Sequence, residues 1–275
     1  MSDLFSAQEG IASHGIRVGI GGWNFAPWRD NFYPAGLVQR RELEYASRHV
    51  TAIEINSTYY GTQKPATYAK WRDETPEDFV FSAKAPKRIM QARSLTGAQA
   101  QIEDFIGGIS ELGDKLGPLV WQFEKGRKID RDDLAGFLKS LPRKAGRRRL
   151  RHALELRDPA IIDNELLALA RHHDVATVFT DSDEHPSFAD LTSDFVYARL
   201  MRSRPIDTGY PGPELDQWAK RAREWAAGGD PQDLPHIGPP TPLPKREVFI
   251  YFISSAKERN PAAAMALLQR LDQAR

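Results

Sequence analysis

The sequence predicts a single-domain α/β fold, a TIM-type (β/α)8 barrel, on three observations. Eight short apolar stretches recur along the 275 residues. Helix-compatible segments lie between most of them, giving strand and helix alternating eight times at about 30-residue spacing. Several stretches also alternate polar with large apolar residues, and a period of two sends the two sets to opposite faces of a strand. A doubly wound open sheet is the competing architecture, and the count of eight favours closure.

The elements follow in order. Residues 1–15 read as an N-terminal tail and 16–275 as the barrel. The strand candidates of the first half are IRVGIGGW (16–23), TAIEINST (51–58), FVFSAKA (79–85) and GPLVWQF (117–123). Those of the second half are HALELRD (152–158), VATVFTD (175–181), DFVYARLM (194–201) and VFIYFIS (248–254). The helical segments are RRELEYASRHV, PATYAKWRDET, AQIEDFIGGISELGDKL, RDDLAGFLKSL, NELLALARHHD, GPELDQWAKRAREWAAG and NPAAAMALLQRLDQ. The stretch 228–247 holds six prolines and no periodicity, and it reads as a surface loop rather than a linker. RKAGRRRLR (143–151) is the densest basic run. It leads into the fifth strand, at the end of the barrel opposite the usual active site, and reads as a solvated turn, with a basic docking surface as the alternative.

Composition excludes more than it assigns. Lysine plus arginine number 38 against 37 acidic residues, so no strong overall field draws the chain to nucleic acid or to a membrane. With no cysteine, disulfides, thiolate catalysis and cysteine-ligated zinc are excluded. No stretch approaches the roughly 20 apolar residues of a membrane span. The opening residues lack the pattern of a signal peptide, and the expected location is the cytoplasm.

Barrel enzymes carry their sites at the C-terminal ends of the strands. Alternation there points Gly19, Gly21 and Trp23 inward from the first strand, Glu54 and Asn56 from the second, and Ser82 and Lys84 from the third. It adds Gln122, Glu155, Arg157, Tyr197, Arg199 and Tyr251, with Thr180 or Asp181 from the sixth strand. Charges are costly to bury without partners or a ligand. One reading is a closed salt-bridge network. The other is an anion site, because Glu54 and Glu155 balance only two of Lys84, Arg157 and Arg199. Arg157 and Arg199 suit bidentate recognition of phosphate or carboxylate. Lys84 can serve as a point charge, an acid or base, or a Schiff-base amine.

Other features are weaker. Asp181, Asp183 and His185 cluster after the sixth strand, where a turn competes with a metal site, and no metal is expected. Phe25, Trp28, Phe32, Tyr33, Tyr59 and Tyr60 crowd the first two loops, as a stacking wall or as a local core. GIGGW is not a dinucleotide fingerprint, and no nucleophile elbow is present. No cofactor is expected.

GIGGW followed by FYP, EINSTYYG, FSAKAP, LGPLVWQF, ELRD and YARL resembles, in order and spacing, the YecE-like family, domain of unknown function 72. The resemblance runs from about residue 16 to 270. It implies a TIM-type barrel and no settled reaction. Family members often follow the fifth strand with Arg-His-Pro-Ser-Trp, where this chain has Arg157, Asp158, Pro159 and Ala160. Arg199, Leu200, Met201 and Arg202 stand where Arg-Leu-His-Gly is common, and Ser254 and Ser255 replace an asparagine-rich strand end.

The expectation is a pocket that binds, and as an enzyme processes, a small phosphorylated or other anionic ligand without a metal. Glu54, Lys84 and Glu155 are the catalytic candidates. Trp23, Asn56, Tyr59, Gln122, Arg157, Arg199 and Tyr251 are the binding candidates. A non-catalytic protein that binds a nucleotide or nucleic-acid end is the alternative; glycoside hydrolysis and a Lys84 Schiff-base lyase are lesser variants. Oligomeric state is open.

Overall fold

A computed structural model describes residues 15–239 and 244–273. Apart from Gly15, the expected N-terminal tail lies outside the described residues, as do 240–243 of the proline-rich loop. All eight apolar stretches form strands: β1 (Ile16–Gly21), β2 (Ala52–Ile55), β3 (Val80–Lys84), β4 (Leu116–Phe123), β5 (His152–Leu156), β6 (Ala176–Asp181), β7 (Phe195–Leu200) and β8 (Glu247–Phe252). They close into a parallel barrel in which each strand pairs with its sequence neighbours and β1 pairs with β8. The helices are α1 (Glu42–Ala46), α2 (Pro65–Asp73), α3 (Lys87–Met90), α4 (Gln99–Ile109), α5 (Arg131–Ser140), α6 (Asn164–His172), α7 (Gly212–Ala227) and α8 (Asn260–Asp272). Asp130 and Asp163 cap α5 and α6 by accepting from the Asp133 and Leu166 amides, which satisfies first-turn N–H groups that the helix leaves free.

Alternation divides the apolar residues into two cores. Ile53, Ile55, Leu119, Trp121, Phe123, Leu154 and Leu156 face the helices. Ala52, Val120, Ala153, Ala176, Val178, Tyr197, Phe249 and Tyr251 fill the barrel interior. Thr180 shares the parity of Ala176 and Val178 and pairs in register with Arg199, so it is the sixth strand's inward residue. The interior is tight enough to dictate a glycine. A Cβ at Gly19 would stand 2.0 Å from the Ala52 carbonyl oxygen and 3.2 Å from the Tyr251 ring.

The eightfold alternation of strand and helix fails once. Between β6 and β7, residues 182–194 contain no helix. DSDEHPSFADLTSD lacks helical periodicity and carries Pro186, which interrupts the backbone ladder. The proline-rich segment after α7 lies against this connection instead. Ala189 N–H donates to the Pro235 carbonyl at 2.8 Å, and the Asp190 carboxylate accepts from Ile237 N–H and Gly238 N–H, each at 2.8 Å. The segment is therefore pinned along its described part.

The basic run behaves as a turn tied to the N-terminal end of the barrel. Lys144–Ala145 and Arg148–Arg149 form a two-residue antiparallel ladder. Arg148 pairs with Asp114, Arg149 with Asp174 and Asp194, and Arg151 with Glu247.

Candidate functional site

Register brings the charged residues together at the C-terminal mouth. Glu54 sits opposite Ser82, Gln122 opposite Glu155, and Arg199 opposite both Thr180 and Tyr251. Arg199, 2% exposed, bridges two carboxylates by donating to Glu54 Oε1 at 2.9 Å and to Glu155 Oε2 at 2.5 Å. The other oxygens are engaged as well. Tyr197 donates to Glu54 Oε2 at 2.6 Å and Arg157 donates to Glu155 Oε1 at 3.0 Å. Burial drives the Glu155 carboxyl upward, yet the charges of Arg199 and Arg157 outweigh it and hold its pKa well below the ordinary carboxylate range. Arg199 is desolvated too, and the two carboxylates more than compensate, so it stays charged.

Arg157 has a second partner that the strand pattern does not reveal. Its guanidinium donates to Glu124 at 3.1 Å, and Glu124 also accepts from the Tyr59 hydroxyl at 3.0 Å. The mouth thus holds three carboxylates, not two.

Lys84 stands apart from this network. Its ammonium lies 3.8 Å from the Tyr59 ring centroid, and among the described residues no carboxylate comes within ion-pair distance of it. Burial, and next the charge of Arg199, lower its pKa to about 8. Lys257 was not singled out from the sequence and repeats the arrangement. Its ammonium lies 4.4 Å from the Phe25 ring centroid, makes no ion pair with a described residue, and has a pKa lowered by burial. Both lysines face one cavity of about 300 Å³, together with Asn56, Arg157, Arg199 and Asn260. Glu54, Glu124 and Glu155 stand against Lys84, Arg157, Arg199 and Lys257, so a cationic excess survives Glu124.

Two further cavities share walls with the first. One, of about 180 Å³, is lined by Trp23, Asn24, Phe25, Ile55, Asn56 and Lys257. Trp23 does not enter the barrel as alternation predicts. Gly22 has φ of +75°, which ends the strand and turns the indole outward, edge-on to Trp71 at 4.9 Å. Trp28, Phe32 and Tyr33 are buried as a local core, whereas Phe25 keeps a face on this cavity. The other cavity, of about 410 Å³, is lined by Tyr59, Met90, Gln122, Glu124 and Arg127 among others. Tyr251 lines none of the three; it is fully buried and stacked on Tyr197 at 5.1 Å.

The strand ends carry backbone strain where the eighth loop begins. Ser254 and Ser255 have φ of +63° and +50°, a region uncommon for residues other than glycine. Ser254 and the buried Asn260 line the main cavity, and Asn260 holds the Ser254 carbonyl at 3.3 Å. Asp181 and Asp183 both pair with Arg202, at 3.2 and 2.9 Å. Burial, and next the charge of Arg157, lower the pKa of His185 near the mouth. Among the described residues no group of three or more histidines and carboxylates is placed to hold a metal ion. Among those residues, too, no helix is long and apolar enough to cross a membrane.

Comparison with known proteins agrees with this architecture. UPF0759 protein YecE of Escherichia coli K12 is 28% identical over 102 residues, which is 37% of this chain and 35% of YecE. The matched region thus spans about a third of that relative. A DUF72 family protein of Thermotoga maritima MSB8 superimposes with a TM-score of 0.69 at 20% identity, over 94% of this chain and 98% of the other. One from Enterococcus faecalis V583 gives 0.65 at 17% identity, over 94% and 98%. At such identities the two structures speak for the fold alone. The model of the family described as "Protein of unknown function DUF72" matches residues 17–275, and the chain belongs to that family.

Proposed function

We propose that this protein binds a small phosphorylated or otherwise anionic molecule at the C-terminal mouth, and that it acts on that molecule as an enzyme. Lys84, Lys257 and Arg157 contact the anion. Glu54, Glu155 and Arg199 form the charged floor that positions them. One observation carries the reading: two lysine ammoniums face the same cavity, each over an aromatic ring and neither within ion-pair distance of a carboxylate among the described residues. Cations held this way keep their charge available to an incoming anion. Lys84, with a pKa near 8, is poised to transfer a proton close to neutral pH.

The competing reading is binding without chemistry. It is favoured by one specific fact: all four oxygens of Glu54 and Glu155 are engaged by Arg199, Tyr197 and Arg157. Neither carboxylate is then a ready base.

Calorimetric titration with orthophosphate, pyrophosphate and citrate tests the anion site. Wild type should bind at least one of them, and Lys84→Met with Lys257→Met should weaken it by about tenfold or more. No binding of any anion would sink both readings. Product formation from a panel of phosphate esters, lost in Lys84→Met, separates the enzyme from the binding protein.

A further inference from the structure

Gln122 is a polar residue at the mouth whose buried side-chain amide is left open at both ends. It is fully buried on β4, and neither Oε1 nor Nε2 has a hydrogen-bond partner of acceptable geometry. The amide lies beside Glu155 and helps hold that carboxyl low, yet Arg199 and Arg157 already occupy both carboxylate oxygens. A buried amide left open costs about 1–3 kcal/mol for each unsatisfied group, so an apolar residue of the same size would serve the fold better. Gln122 lines the cavity of about 410 Å³ that meets the cationic cavity at Tyr59. Met90 and the Tyr59 ring give that space apolar walls, while the amide offers one donor and one acceptor side by side.

We infer that Gln122 reads the uncharged part of the ligand, and that the ligand is a sugar or polyol phosphate rather than an inorganic anion. This rests on the anion site proposed above. Adjacent hydroxyls on a carbon chain present the donor and acceptor that an amide matches. Their carbon skeleton lies against Met90 and Tyr59 while the phosphate meets Lys84. A bare phosphate engages the lysines and leaves Gln122 unpaired.

The test is calorimetric titration of the full-length protein with orthophosphate and with ribose 5-phosphate. Wild type should prefer the sugar phosphate by about tenfold or more, the worth of one to two hydrogen bonds. In Gln122→Met the ratio of the two affinities should collapse toward one, with a melting temperature equal to or above that of wild type. Gln122→Asn, which keeps the amide but withdraws it, should lose the preference too and guards against a folding defect in the first variant. Equal affinities for the two probes in wild type would overturn the inference while leaving the anion site standing. A preference that survives both substitutions would also overturn it, as would a Gln122→Met protein that melts well below wild type. If neither probe binds wild type, the anion site itself fails.

Discussion

Lys84 rests its ammonium on the ring of Tyr59, 3.8 Å from the centroid, while the Tyr59 hydroxyl is held by Glu124 at 3.0 Å. One tyrosine thus links a lysine that forms no ion pair among the described residues to a carboxylate that pairs with a different cation, Arg157. Lys84 feels Glu155 and Glu54 at a distance but forms no ion pair with either.

Anion affinity should therefore depend on pH through Lys84. Its pKa is lowered to about 8, first by burial and then by Arg199, and an anion favours the charged amine. The Lys84 contribution to affinity should be constant well below pH 8 and fall as pH rises through that value, by up to about tenfold per pH unit. Titrations across this range, repeated with Lys84→Met, read it directly; a variant that retains the same fall would refute the assignment. Stability carries the opposite slope. Between the folded value near 8 and an unfolded value of about 10.4 the unfolded chain binds more protons, so stability rises with pH there, and the substitution removes that rise.

Arg199→Met should destabilise by about 3–5 kcal/mol, because it strands Glu54 and Glu155 as buried charges without their shared partner. Urea unfolding measures the loss. A change below about 1 kcal/mol would mean that the floor is not a coupled unit.

Acid should attack the same floor. Burial opposes the charge on Glu155, but Arg199 and Arg157 prevail and hold its pKa down to about 2. Its contribution is complete above the unfolded value of about 4.3 and is lost as pH falls through the folded one. Melting temperatures of wild type should decline across that window, and those of Glu155→Gln should be lower at its upper end, flatter, and closer to wild type at its acid end.

The pinned proline-rich segment should respond to alkali instead. Both nitrogens of His236 face acceptors, the Leu234 carbonyl at 2.8 Å and the Asp230 carboxylate at 2.9 Å, an arrangement that a protonated ring satisfies at both ends. Burial opposes that charge, and the Asp230 bond and charge outweigh it to raise the pKa. The resulting stability is fully present below about 6.5 and disappears as pH rises through the raised value. His236→Asn should melt lower than wild type at about pH 6, with the difference shrinking by about pH 9. A constant difference would exclude the charged ring.

Gly19→Ala should prevent a normal barrel from forming, since its Cβ would overlap the Ala52 carbonyl at 2.0 Å. Backbone oxygen cannot step aside as a flexible side chain does. Soluble yield and near-ultraviolet circular dichroism report the outcome.

Residues inside regular strands were legible because alternation fixes their side. Glu54, Lys84, Gln122, Glu155 and Arg199 all fall where a period of two places them. Legibility stops at the strand ends. Trp23 turns outward because Gly22 adopts a positive φ that no periodicity encodes. Glu124 and Lys257 lie one and five residues beyond their strands, in loops whose directions are set by tertiary contacts. The helix missing after β6 left only a negative sign, a stretch of turn-forming residues around Pro186. That the proline-rich segment would lie over this stretch depends on Asp190, which nothing nearby in sequence identifies.

That arrangement has a consequence for how the barrel is assembled. In a regular strand–helix unit, the cover for each strand is synthesised just before or after it. Here the connection between β6 and β7 is clasped by residues 235–238, which follow α7. During synthesis the exposed flank beside Ala189 waits about 50 residues for its clasp, and β8 then arrives to seal β7 to β1. Cover and closure come last and nearly together, so a chain halted at the end of α7 keeps both an open sheet edge and an uncovered flank.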